Sequence, residues 1–163
     1  MRPLSAPVTF ALLALVATVG TAAGEQTPAS AVRCDEVLSR EEATAVVGSS
    51  YEGPDVNELR PGFTLCEWQG SDSNFGFTFA SLKALADDSR TADEEFESDV
   101  SAVENDTRKR EVLPGVGVKA ALVALGDDAL LISVLRADGV ARMVTYKVDR
   151  EKALALARAI AEP

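Results

Sequence analysis

The chain contains no histidine, and that absence removes more chemistry than any motif present adds. Without imidazole there is no Ser-His or Cys-His nucleophile system and no histidine-ligated metal. There is also no side chain that ordinarily titrates near neutrality. Cysteine is nearly absent as well: Cys34 and Cys66 are the two in the chain. They make no C-x-x-C redox pair, and two thiolates without histidine fall short of the four ligands of a structural zinc site. No serine-lysine motif opens a helix. No glycine-rich phosphate loop does either, since "PGVG" at 114–117 leads into a predicted strand. Nothing resembles the twelve-residue calcium loop, and Asp127-Asp128 reads as turn chemistry. No cofactor, no metal and no catalytic residue is expected.

Long apolar runs are also scarce. The one run, from about Val8 to Gly20, follows the basic Arg2 and precedes small residues, which is the layout of a secretory signal peptide. At about thirteen residues it is shorter than the roughly twenty that a membrane-spanning helix needs. The division expected is a signal at 1–23, cleaved after Ala23, a polar leader at 24–33 and a single domain at 34–163. The product would be secreted or extracytoplasmic, with no transmembrane segment after cleavage. Retention of the run as an anchor is the alternative.

Positive charge is in short supply: 16 Lys and Arg stand against 26 Asp and Glu, for a net charge of −10. Cleavage would remove Arg2 and take it to −11. Such acidity repels phosphate backbones and anionic lipid, so no nucleic-acid partner is expected. The basic run Arg108-Lys109-Arg110 is too short to reverse this and reads as a solvated loop. Asn105-Asp106-Thr107 has the form of a glycosylation sequon, relevant only in a eukaryotic secretory pathway.

In an exported chain, two cysteines 32 positions apart read as one disulfide. A lipid anchor would need its cysteine directly after the apolar run, whereas Arg33 precedes Cys34. The chain is therefore not expected to be lipid-anchored.

The rest of the chain divides by period and punctuation. "LSREEATAVVGSS" is a helix with a Ser39/Glu42 capping box and Gly48 at its end. "SYEGPDVNELRPG" has two prolines and no sustained period, so it reads as a loop with at most a brief extended piece. "FTLCEWQ" and "NFGFTFASLK" alternate as a hairpin, with Phe75, Phe77 and Phe79 on one face and Trp68 beside Cys66. A second capping box, Thr91/Glu94, opens a helix whose stripe is Phe96, Val100 and Val103. "EVLPGVG" reads as a loop. Three strands follow, "VKAALVAL", "DALLISVLR" and "VARMVTYKV", separated by Gly126-Asp127 and Asp138-Gly139. Asp149 opens a closing helix with Ala153, Leu154, Ala157, Ile160 and Ala161 inside.

The predicted fold class is α+β: a two-layer sandwich with an antiparallel sheet of about five strands, helices on one face and one disulfide. The Phe75, Phe77, Phe79 and Trp68 face reads as core, with an apolar ligand face as the functional alternative. Acidic pairs in "ADDS" and "DEEFESD" arise by chance among so many carboxylates, and the second belongs to a helix start and solvated face. The function expected is a non-enzymatic binding module whose partner is an envelope protein or a small apolar ligand. The alternative is a carboxylate-dependent hydrolase.

"CDEVLSREEATAVVG", then "CEW", then "LPGVGVKA" and an alanine-rich closing helix together resemble a family of small secreted proteins and lipoproteins widespread in actinobacteria. Cys34, Glu42, Ala43, Gly48, Cys66, Trp68, Gly115, Gly117 and Ala120 fall on its pattern. Many relatives carry a lipobox, which this chain lacks, and Val118-Lys119 replaces their usual small acidic residue. The resemblance implies a secreted or envelope location and brings no enzymatic activity with it.

Overall fold

The computed structural model describes residues 32–162. The predicted signal, and the leader up to residue 31, lie outside the described residues. The elements run α1 (Cys34–Val37), α2 (Arg40–Val47), β1 (Glu52–Arg60), β2 (Phe63–Gln69), β3 (Asn74–Ser81), α3 (Leu82–Asp87), α4 (Ala92–Ser101), β4 (Arg110–Val112), β5 (Lys119–Ala124), β6 (Ala129–Leu135), β7 (Gly139–Tyr146) and α5 (Arg150–Ala161). All seven strands form one antiparallel sheet in the order β1-β2-β3-β7-β6-β5-β4.

Two features of the expected fold are overturned. The sheet has seven strands rather than about five. Helices also cover both of its faces rather than one: α1, α2 and α5 bury their apolar residues against one face, α3 and α4 against the other. A two-layer sandwich is thereby replaced by three layers. The additional strands, β1 and β4, are the two edges. An edge strand solvated on both faces has no reason to alternate in hydrophobicity, so a period-two test passes over it. In β1, Val56 and Leu59 are apolar and both are largely exposed. Pro54 is tolerated there because the register shifts between Glu52 and Asp55, and an edge strand needs no donor on its outer side. α3 was hidden by the strand before it. The ladder stops at Ser81, whose hydroxyl accepts from Ala84 N at 3.2 Å and caps a helix that buries Ala84 and Leu85.

The helix signals themselves hold. Ser39/Glu42 and Thr91/Glu94 form complete capping boxes, and Gly48 ends α2 at φ 77°. Asp149 caps α5 by accepting from Lys152 N at 3.1 Å. The hairpins β2–β3, β5–β6 and β6–β7 are also present. Gly139, however, does not take the positive φ expected of a tight Asp-Gly turn. Its small size serves a close approach instead, since a Cβ there would collide with Ala80 O and the Phe79 ring.

One disulfide, Cys34–Cys66, ties α1 to β2 with 5.7 Å between the Cα atoms. Around it, on the face covered by α1, α2 and α5, lie the aromatic rings. Trp68 stacks on Phe75 at 5.0 Å and tilts against Phe77 at 5.6 Å, while Tyr51 meets Phe75 edge-on at 5.1 Å. Arg136 is buried at the far side of this layer. Its Nε donates to Asp138 Oδ1 at 2.8 Å, and its Nη1 donates to the Ile160 carbonyl at the end of α5. A guanidinium can be buried here because its donors are met. It holds the last turn of α5 to the β6–β7 turn.

Candidate functional site

The four rings expected as an apolar ligand face, Phe75, Phe77, Phe79 and Trp68, are each at most 2% exposed. They belong to the larger core cluster with Cys34, Cys66, Met143 and the inner side of α5. The opposite face of the same strands is a different surface. Along it run Leu65, Glu67 and Gln69 from β2, Asn74, Gly76 and Thr78 from β3, and Arg142 and Val144 from β7. These residues line a groove of about 330 Å³ together with parts of Trp68 and Phe75. Cross-strand register places Leu65 beside Thr78 beside Arg142, and Glu67 beside Gly76 beside Val144. Gly76 contributes no side chain and so deepens the floor. An added Cβ would meet Cys66 O at 2.8 Å, and the Glu67 stem lies against that position.

This half of the face is uncovered because α4 is held over the other half. Phe96 and Val100 bury beside Ala121, Val123, Leu135 and Val140. On the outer side of the helix, Arg110 of β4 donates to Glu104 Oε2 and to Glu97 Oε2, both at 2.6 Å. Lys119 of β5 donates to Glu97 Oε1 at 2.5 Å while lying over the Phe96 ring. These partners hold the Glu97 and Glu104 carboxyls below the usual range. Each pair is exposed enough to contribute little alone; those made by Glu97 join α4 to β4 and β5.

Where α4 borders the open half, a cleft of about 210 Å³ is lined by Leu59, Phe63, Thr78, Ala80, Glu95, Asp99, Val140 and Arg142. It shares Thr78 and Arg142 with the groove. Glu95 and Asp99, one helical turn apart, face the sheet beside the apolar stripe. Glu95 is ion-paired with Arg90. The Asp99 side chain is only 14% exposed, and its Oδ1 is 4.0 Å from Arg142 Nε. Desolvation pushes the Asp99 carboxyl up to about 6. The Glu95 charge adds to the rise, while Arg142, Arg90 and the Ser133 hydroxyl oppose it. "DEEFESD" is therefore not a wholly solvated face, as its composition suggested. Two of its carboxylates rim a cleft on the sheet.

Among the described residues, no group of three or more Cys, Asp or Glu is placed to hold a metal ion. No helix there is long and apolar enough to cross a membrane. The sequon has a structural use: the Asn105 side-chain Oδ1 accepts from Thr107 N, Thr107 Oγ1 and Arg108 N, closing the turn before β4. Set against known proteins, the chain matches no family model, no curated protein and no solved structure.

Neither Arg142 nor Val144 was among the expected site residues, although alternation in "VARMVTY" is a signal that sets both opposite Met143. Two facts escaped it. One is that β7 pairs with β3 across 58 to 72 residues of chain, from Ser81↔Gly139 to Asn74↔Tyr146, which assembles the groove from two separate hairpins. The other is that α4 covers only half the face. Neither leaves a local signal.

Proposed function

We propose that this chain is an exported binding module of the cell envelope or extracellular space, released from a cleaved signal peptide and related to the actinobacterial family its motifs resemble. Its ligand lies on the open half of the sheet, in the groove between Glu67 and Arg142. The observation that carries this reading is the contrast in lining. The groove presents Leu65, Val144, Gly76 and Thr78 as a mixed floor with Glu67, Gln69, Asn74 and Arg142 around it. A few convergent polar groups around partly apolar walls are the usual composition of a small-molecule site. The disulfide agrees with an oxidising compartment.

A fragment screen read by amide NMR on the oxidised protein tests it. Binding fragments should perturb residues 65–69, 74–78 and 142–144. Hits scattered over the surface, or gathered on another face, would refute the assignment.

The hydrolase alternative has one observation in its favour: Asp99 keeps its proton up to about pH 6 in a cleft it shares with Glu95. A carboxyl so placed is suited to general-acid chemistry. Hydrolysis of a glycoside or ester panel that follows a pH profile with a limb near 6 and vanishes in Asp99→Asn would favour that reading. Turnover unchanged in Asp99→Asn would end it.

A further inference from the structure

We propose that Arg142 receives the carboxylate of a small monocarboxylic acid whose apolar body lies along the channel over Gly76. This assignment rests on the binding reading above and names the chemistry of its ligand. Arg142 projects from the middle of β7, which is flanked on both sides by β3 and β6, so its base is fixed. Its side chain is 43% exposed. Among the described residues its guanidinium makes no hydrogen bond and has one charge neighbour, Asp99, at 4.0 Å. That separation is beyond a hydrogen bond. A guanidinium offers five donors in a planar fork matched to a carboxylate, and here the fork stands in a groove with its donors unmet by the protein.

The surroundings narrow the anion. Glu67 lies in the same groove, and Glu95 and Asp99 lie beside it in the adjoining cleft. One ligand charge can be met by Arg142, whereas a dianion such as phosphate would set its second charge against three carboxylates. Beyond the guanidinium, Leu65, Val144 and bare Gly76 give an apolar path, which suits an acyl or alkyl body.

Asp99 makes the site responsive to pH. The groups facing it are Arg142 from β7, Ser133 from β6, Glu95 on its own helix and Arg90 just before that helix. Ionised Asp99 competes for Arg142 and repels an incoming carboxylate. Once protonated it does neither, so binding tightens as pH falls through about 6, until the ligand itself takes a proton.

NMR titration of the oxidised protein with hexanoate and with N-acetyl-leucine, on either side of pH 6, tests the proposal, with hexanamide and inorganic phosphate as comparison probes. Both carboxylates should shift Arg142 Nε and the amides of Gly76, Thr78 and Val144, several-fold more tightly on the acid side. Hexanamide and phosphate should not. Arg142→Gln should weaken binding about tenfold while keeping the dispersed spectrum, as expected for loss of one charge-assisted pair. Asp99→Asn should bind at neutral pH as the wild type does in acid. Groove shifts that survive Arg142→Gln, or that hexanamide reproduces, would overturn the carboxylate assignment and leave the binding site standing. Phosphate binding of equal strength would overturn the monoanion argument. Carboxylate shifts confined to another face would overturn both the assignment and the site, and no shift with either carboxylate would overturn the assignment.

Discussion

The two faces of the sheet are made by the same strands and differ in nearly every other respect. One is closed: α1, α2 and α5 lie over Trp68, three phenylalanines and Met143, with the disulfide locked into the layer. The other is half closed, because α3 and α4 cover the end near Ala80 and Val140 and leave Leu65, Glu67, Gly76, Thr78, Arg142 and Val144 facing solvent. Stability is concentrated on the closed side. Apolar area removed from water, ring packing and a cross-link all act on the closed face. The open half carries polar groups without partners that the fold does not require.

Substitution should make that contrast measurable. The largest loss is expected on the closed face. Phe77→Ala removes a ring packed against Trp68 and should cost about 3–5 kcal/mol, read from the urea midpoint. Opening the disulfide through Cys34→Ser with Cys66→Ser should cost about 3–4 kcal/mol for a loop of this length. The denaturant midpoint of the double variant against the oxidised wild type checks it. Arg136→Met leaves the Ile160 carbonyl without its donor and should cost about 1–3 kcal/mol, with faster amide exchange in the last turn of α5 as its signature.

On the open side the sign reverses. The native Asp99 carboxyl keeps its proton up to about pH 6, whereas in the unfolded chain it releases it near the usual ~3.9. Between those values the native state holds more protons, so this residue's contribution to stability falls as pH rises, and the full cost is present above about 6. Asp99→Asn should therefore stabilise the protein at neutral pH by about 1–2 kcal/mol and flatten the stability slope over that window. The lowered carboxyls of Glu42, Glu94, Glu97, Glu104 and Asp149 act oppositely, their contribution being lost as pH falls below the ordinary carboxylate range. The smallest effect belongs to Val144→Ser, which should change stability by no more than about 0.5 kcal/mol. A loss as large as that of Phe77→Ala would erase the distinction between the faces.

How much of this could be read from the chain depends on where each signal is stored. Caps are local, so Ser39, Thr91 and Asp149 marked three helix starts correctly. The Cys34–Cys66 pair followed from composition and spacing. Alternation found β2 and β3, and turn residues between apolar runs found β5, β6 and β7; both signals missed β1, whose side chains are mostly solvated, and β4, which is three residues long. Non-local facts were beyond reach. Nothing near Phe77 signals that Met143 is its neighbour, and nothing in "DEEFESD" signals that Asp99 alone will be desolvated enough to hold its proton near pH 6. The helix stripe of Phe96 and Val100 was legible. The side of the sheet on which it settles was not, because its apolar partners Ala121, Val123, Leu135 and Val140 all lie in strands that follow it in the chain.

The proposed division keeps the open half of the sheet for binding and the closed face for folding. Saturation mutagenesis scored by protease resistance of the oxidised protein tests it most directly. Trp68, Phe75, Phe77, Phe79 and Met143 should tolerate only close replacements, while Glu67, Asn74, Thr78, Arg142 and Val144 should accept nearly any residue without loss of resistance. Equal intolerance at the two sets of positions would contradict it.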